Sequence, residues 1–320
     1  MMEYCVGIDV GGTTVKAGIF GTDGTLFCKW SVPTDTSDGG KNVLPDMRDS
    51  LFEKLSEKGI SPDDVRGIGI GVPGAVKKDG TVLGCVNIGW GTFNIVKEAE
   101  RLFCGIRVKA GNDATLAALG EMWQGAARGH DDVVMITLGT GVGGGIIADG
   151  HIIEGATGGA GEIGHFPANP DETRVCSCGK KGCLEQYASA TGIVNGARML
   201  IKNAEEQCRP PEYTKALLGL EEITAKDVFD LAKAGDEAAC DVVAAAGRYI
   251  GIAMAQIACT VNPEIFIIGG GVSAAGSILI DAVEDCYRKN AFYPCSKAQV
   301  RLASLGNDGG IYGAAALIVK

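Results

Sequence analysis

Three cysteines at Cys176-x-Cys178-x4-Cys183, with His165 eleven residues before the first, place three thiols and one imidazole in a short stretch. One nitrogen and three sulfurs form a tetrahedral zinc set. Thiolates and imidazole also suit Zn2+ better than Mg2+. The intervening residues, SCGKKGC, are polar and turn-forming, so the segment reads as a metal loop rather than as buried thiols. Glu162 stands three residues before His165, and Glu185 two after Cys183. A metal there would fix two carboxylates on one loop. Carboxylates accept strong O–H hydrogen bonds, which is what a polyhydroxyl ligand needs.

A second chemistry lies in the glycine clusters. In DVGGTTVKAG, the backbone N–H groups of Gly11, Gly12, Thr13 and Thr14 form a concavity suited to phosphate oxygens. LGTGVGGG repeats that pattern around Thr140 and Gly141. One such hairpin is an ordinary turn. Two related ones can clamp a triphosphate. Asp9 ends the first strand, where a carboxylate holds Mg2+ directly or through water. Lys16 belongs to the same hairpin but is not placed as in a P-loop, because no G-x-x-x-x-G-K-[ST] occurs and a strand follows the turn. Strands after the G-x-G pieces also exclude a dinucleotide fold. In IIGGGVS, Gly269, Gly270 and Gly271 supply a third close approach, suited to the adenosine end. Asp113, in KAGNDATLAA, is either half of an Asn112-Asp113 helix cap or a general base for a substrate hydroxyl. The helix N-terminus keeps it ionised. In phosphoryl transfer, orienting the hydroxyl matters more than base strength.

These groups need elements to hold them. The first 32 residues read as three strands, YCVGIDV, VKAGIF and TLFCKWSV, joined by Gly-containing turns. A helix follows at about 43–57, a strand at DVRGIGIGV, a helix at about 94–103, a strand at IRVKA, and a helix from Asn112-Asp113 to about Trp123. VVMITL, IIADG and HII repeat the opening meander. Ile8–Gly12 aligns with Ile136–Thr140, and Asp23-Gly24 with Asp149-Gly150, two residues out of step. That agreement reads as an internal duplication. After a Gly- and Cys-rich loop at 155–185, helices are expected at about 190–206, 225–234, 236–261, 278–289 and 309–318, with a strand in NPEIFIIGGG. The expected domains are 1–112, joined by the last helix at about 307–320, and 113–306, with a hinge near 112–132.

The 320-residue length supports about two domains. Hydrophobic residues at 46% and charged residues at 21% exclude disorder. Glycine, 49 of 320, is roughly twice its usual share of about 7%. The net charge of −10 and the lack of a basic stripe exclude a nucleic-acid partner. Charged residues are expected to interrupt every apolar run before about 18 residues, so no membrane span is anticipated. Twelve cysteines without an export signal indicate a reducing, cytoplasmic setting. The scattered ones read as small buried hydrophobes.

Together, GIDVGGTTVKAG, GIGVPG, GNDA, LGTGVGGG, GGAGEIGH, CSCGKKGCLEQYAS and NPEIFIIGGGVS resemble, in order, the ROK family of sugar kinases, most closely its bacterial glucokinases. The resemblance covers nearly the whole chain. It implies an α/β, two-lobed, actin-like ATPase (ribonuclease H-like) fold with an interlobe cleft, and transfer from Mg-ATP to the 6-hydroxyl of glucose. It also implies Asp113 as the catalytic base. Sugar contacts fall on Gly74, Asn87, Asn112, Asp113, Glu162, His165 and Glu185, and zinc ligands on His165, Cys176, Cys178 and Cys183. Nucleotide contacts fall on the two hairpins and Gly269–Gly271. His165 could serve both zinc and sugar through its two ring nitrogens. Thr115 stands where the family often has Asn, which bears on substrate fine-tuning. A homodimer or homotetramer is expected. Other sugar kinases (fructose, mannose or N-acetylhexosamine) are the nearest alternatives. A sugar-responsive repressor is disfavoured, because a hairpin at Asp9 leaves no room for a helix-turn-helix.

Overall fold

The computed structural model describes residues 3–320. The opening meander forms as β1 (Tyr4–Val10), β2 (Thr14–Gly21) and β3 (Leu26–Pro33). Then come α1 (Val43–Lys58), β4 (Val65–Val72), β5 (Thr81–Val82), β6 (Phe93–Asn94), α2 (Ile95–Leu102), β7 (Val108–Asn112) and α3 (Asp113–Gln124). The repeat begins with β8 (Val133–Leu138), β9 (Val142–Ala148) and β10 (His151–Ile152). Four helices follow the Gly- and Cys-rich loop: α4 (Glu185–Ala188), α5 (Ala190–Glu206), α6 (Lys215–Leu218) and α7 (Ala225–Lys233). The chain ends with α8 (Glu237–Val261), β11 (Ile265–Gly269), α9 (Ser277–Asn290), β12 (Gln299–Leu302) and α10 (Gly309–Val319).

The two main sheets have the orders β3-β2-β1-β4-β7 and β10-β9-β8-β11-β12. In the first, β1 pairs antiparallel with β2 and parallel with β4, which in turn pairs parallel with β7. In the second, β11 lies parallel to both β8 and β12. The duplication therefore covers five strands, not the three visible in the sequence. β12 was not anticipated, because its four residues, QVRL, carry little periodic signal.

The chain divides into two compact units. One holds residues up to Asp131, 145–161 and 304–320, and the other 132–144 and 162–303. The boundary expected at residue 112 thus moves to 131, and α3 joins the first unit. The cause is direct backbone packing. A Cβ on Gly313 of α10 would lie 1.6 Å from the Leu116 carbonyl oxygen of α3, and one on Gly69 of β4 would lie 1.8 Å from the Ala314 carbonyl oxygen. Only glycine permits such approach. Glu121 of α3, fully buried, adds a polar tie. Its carboxylate accepts the N–H groups of Ala126 at 2.7 Å and Leu305 at 2.8 Å, and that of Ser304 at 2.9 Å. Val6, Ile8, Leu51, Ile68 and Ile70 fill the core on the other face of this sheet.

Two expectations need correction. Of the scattered cysteines, only Cys5 and Cys85 are buried, while Cys28 and Cys286 are half-buried and Cys104, Cys208, Cys240 and Cys259 exposed. α8 is long and apolar enough to cross a membrane by length and composition alone, with mean hydropathy 1.5 over its best 18-residue window. From Val242 to Val261, only Arg248 interrupts it. Most of that window, 61%, is buried inside the protein, as in a core helix.

Candidate functional site

In the first unit, β1 delivers Asp9 to the turn that opens β2. The turn is closed by the Gly11 N–H donating to the Thr14 carbonyl at 3.1 Å. The Thr34 hydroxyl donates to the Gly11 carbonyl at 2.7 Å. Asn87 lies against this turn, since a Cβ on Gly12 would stand 3.4 Å from the Asn87 Cβ. Lys16 donates to the Asn307 carbonyl at 3.0 Å. β7 ends in Asn112, whose side chain caps α3 by accepting the Thr115 N–H at 3.0 Å and donates to the Gly74 carbonyl at 3.3 Å. Thr115, the departure from the family pattern, is buried and donates its hydroxyl to Asn112 Oδ1 at 3.3 Å, so it supports the cap. Asp113 is the first residue of α3, and its Oδ1 accepts the Ala114 N–H at 2.8 Å. Gly74, Asn112 and Asp113 are therefore brought together, with Asn87 beside the hairpin turn.

Burial pushes the Asp9 carboxyl up from 3.8 to about 6, with the Asp113 charge adding and Lys16 opposing. A folded state that holds the proton more tightly loses stability as pH rises from about 4 to about 6. At about 1.4 kcal/mol per unit, the loss from this group is at most roughly 3 kcal/mol. Asp9→Asn should abolish that part of the slope, measured by thermal melts between pH 4 and 7 without divalent cations. An unchanged slope would refute the raised Asp9 pKa.

In the second unit, the β8–β9 turn is closed by the Gly139 N–H donating to the Gly141 carbonyl at 2.9 Å. β11 runs out through Gly269 to Gly270, which has φ +84°; a Cβ there would meet the Leu138 carbonyl oxygen at 2.4 Å. Gly139, Thr140 and Gly271 line a cavity of about 580 Å3. α7 supplies a wall of Lys226, Phe229 and Lys233 that sequence reasoning missed. Those residues read as an ordinary amphipathic helix behind a Thr224–Asp227 capping box. Their only functional signal is spatial.

His165, Cys176, Cys178 and Cys183 converge, with one donor atom from each lying within 4.8 Å of all the others. The Cys178 and Cys183 sulfurs are 3.6 Å apart, and Cys176 Sγ is 3.7 Å from His165 Nδ1. Sulfurs about 2.3 Å from a tetrahedral zinc would be separated by roughly 3.8 Å, so the spacing fits. Burial, then the neighbouring thiols, push Cys183 up to about 12. Burial raises Cys176 as well, whereas the Lys180 N–H lowers the exposed Cys178, so the two buried thiols hold their protons until a cation compensates them, which again fits a metal. The turn is shaped by the Cys176 N–H donating to the Lys180 carbonyl at 2.7 Å and the Gly179 N–H to the Cys176 carbonyl at 2.8 Å.

Both anticipated carboxylates adjoin this cluster. Glu162 Oε2 lies 3.9 Å from His165 Nε2, so one ring nitrogen faces the sulfurs and the other faces a carboxylate. Glu185 Oε1 accepts the Ser177 hydroxyl at 2.9 Å and the Cys176 thiol at 3.0 Å. Its Oε2 lies 2.8 Å from where a Cβ on Gly141 would stand, so Glu185 also touches the hairpin.

The sequence matches the ROK family over residues 5–320. It is 42% identical over 318 residues to a glucokinase of Halalkalibacterium halodurans, covering 99% of this chain and 95% of that protein. It is 34% identical to a glucokinase of Thermotoga maritima, covering 98% and 96%. Among solved structures, a ROK family glucokinase from Streptomyces griseus in complex with glucose and AMPPNP superposes with a TM-score of 0.75 at 34% identity, covering 98% of each chain. A ROK hexokinase from Thermus thermophilus gives 0.77 at 31% identity, covering 98% and 97%.

Proposed function

The chain belongs to the ROK family, with the actin-like ATPase fold of its sugar kinases, and from that premise we propose that it is an ATP-dependent glucokinase. The observation that supports the residue assignment is Asp113 at the start of α3, where its charge helps raise the Asp9 carboxyl beside the Gly11–Thr14 turn, in a chain similar throughout to a glucokinase solved with glucose and a nucleotide analogue. Glucose O6 attacks the γ-phosphorus of Mg-ATP, the O6–P bond forms, and the bond to the β-phosphate oxygen breaks to release ADP. Asp113 takes the O6 proton, and Asn112 holds Asp113 at the start of α3. Asp9 holds the substrate's Mg2+ directly or through water. The N–H groups of Gly11, Gly12, Thr13 and Thr14, and of Thr140 and Gly141, receive phosphate oxygens, with Lys16 adding positive charge. Gly269, Gly270 and Gly271 line the adenosine end, with Lys226 and Lys233 of α7 at the wall of that cavity.

On the sugar side, Gly74, Asn87, Asn112, Glu162, His165 and Glu185 contact the hydroxyls. His165, Cys176, Cys178 and Cys183 would hold Zn2+, which supplies a fixed cross-link and no step of the reaction. All twelve cysteines are unpaired by disulfides, which supports a reducing, cytoplasmic setting. A homodimer or homotetramer completes the reading and is checked by light scattering. A coupled assay of ADP release over glucose, fructose, mannose and N-acetylglucosamine tests the substrate. Glucose should give the highest kcat/KM. A higher value for any of the other three would overturn glucose as the substrate.

A further inference from the structure

The metal loop is closed twice. The four metal-ligating side chains make one closure. A second lies outside them, between the residues that enter the loop and the short helix α4 that leaves it. The Glu172 side chain is only 8% exposed. Its Oε2 accepts Arg174 Nε at 2.9 Å, Arg174 Nη2, and the Tyr187 hydroxyl at 2.7 Å. Its Oε1 accepts the N–H groups of Thr173 at 2.8 Å and Arg174 at 2.9 Å. Gln186 bridges the same two segments. It accepts the Cys183 N–H at 3.2 Å and donates to the Arg174 carbonyl at 3.1 Å. The Tyr187 ring then stacks on Tyr249 of α8, with centroids 4.2 Å apart and planes at 23°. None of these residues is a metal ligand or a candidate sugar contact.

We propose that Glu172, Arg174 and Tyr187 are positioning residues that hold the stem of the metal loop shut, so that the ion enters a loop already closed and Glu185 is held in place through it. Tying residues 172–174 to 186–187 removes much of the closure entropy that the ion would otherwise have to overcome. A buried network with every member satisfied is stiff. Removing one charge of a half-buried pair leaves the other uncompensated, so the loss is felt in full. Groups that orient metal ligands from outside typically change metal affinity by about 10–100-fold when removed. The part of the proposal that concerns Glu185 rests on the sugar-contact reading above. The part that concerns the ion does not.

The test uses Glu172→Gln and Tyr187→Phe in the full chain, with zinc affinity measured by competition against a chromophoric chelator. Glu172→Gln should weaken zinc by about 10–100-fold. Tyr187→Phe keeps the stack on Tyr249 and should weaken it less. The double variant should be no worse than Glu172→Gln alone, because both changes break the same bond. At limiting zinc, the glucose KM of Glu172→Gln should rise and then return to the parental value when zinc saturates, with kcat and the ATP KM unchanged. Parental zinc affinity in both single variants overturns the brace. A glucose KM that stays high at saturating zinc overturns the route through the ion, and a parallel fall in kcat overturns a positioning role. Should the parent phosphorylate no glucose, the kinase reading fails, and the zinc affinities alone still decide the brace.

Discussion

Asp113→Asn is expected to lower kcat by about 10²–10⁴-fold while leaving glucose affinity within a few-fold of the parent. The change is nearly isosteric. An amide oxygen can still accept the Ala114 N–H, as Asp113 Oδ1 does at 2.8 Å, and the Asn112 cap on Thr115 is untouched. Helix α3 should therefore start where it does now. What disappears is the carboxylate proposed to accept the O6 proton, and with it the charge that helps raise the Asp9 carboxyl. Steady-state kinetics together with glucose binding by calorimetry separate the outcomes. Turnover within a few-fold of the parent would remove Asp113 from the base role. Loss of glucose binding equal to the loss of turnover would recast it as a sugar contact only.

Cys183→Ser should remove the ion and most of the hexose affinity together. Structural zinc contributes about 10–16 kcal/mol of apparent binding energy in small peptides, against a whole-protein stability of about 5–15 kcal/mol. Cys183 is buried and its sulfur faces Cys178, so a serine there takes one of the four donor atoms out of the cluster. Glu162 and Glu185, each in contact with a ligand of the cluster, then lose their aim. A charged hydrogen bond contributes about 1.5–3 kcal/mol, so the glucose KM should rise by about 10–100-fold. Elemental analysis should find about one zinc per parent chain and almost none in the variant. Cys240→Ser, at an exposed cysteine outside the cluster, should keep both. Full zinc and a normal glucose KM in Cys183→Ser would break the link between ion and sugar site.

The parts of this fold that were legible in the sequence are those written in local chemistry. The opening meander shows itself through short apolar runs and glycine turns. Asn112 announces its helix because a cap is read within three residues of itself. The His165, Cys176, Cys178 and Cys183 cluster was legible because three of its four residues lie within eight residues of polar sequence. The rest is decided at long range. Nothing near Leu116 says that Gly313 will press on its carbonyl, so α3 was assigned to the wrong unit. Glu121 reads as one more helical surface charge, yet its partners are Ser304 and Leu305, far along the chain. Lys226, Phe229 and Lys233 look like a plain amphipathic face until the β8–β9 turn is placed opposite them.

The packing of α10 has a consequence for how the protein is made. Cys5 and Phe20, translated long before α10, are buried against its Ile311, Ala315 and Ile318. About 190 residues separate the end of the first unit's opening segment at Asp131 from the end of α10. At roughly 5–20 residues per second, translation of that stretch takes about 10–40 s. Throughout that interval the nascent first unit carries a sheet whose one face is covered only in part, by Leu116 of α3 at Gly71 and Gly111, and left open at Gly69 where α10 will pack. Chaperone demand during synthesis should therefore fall on the first unit's opening segment, and it should ease only once α10 has been made.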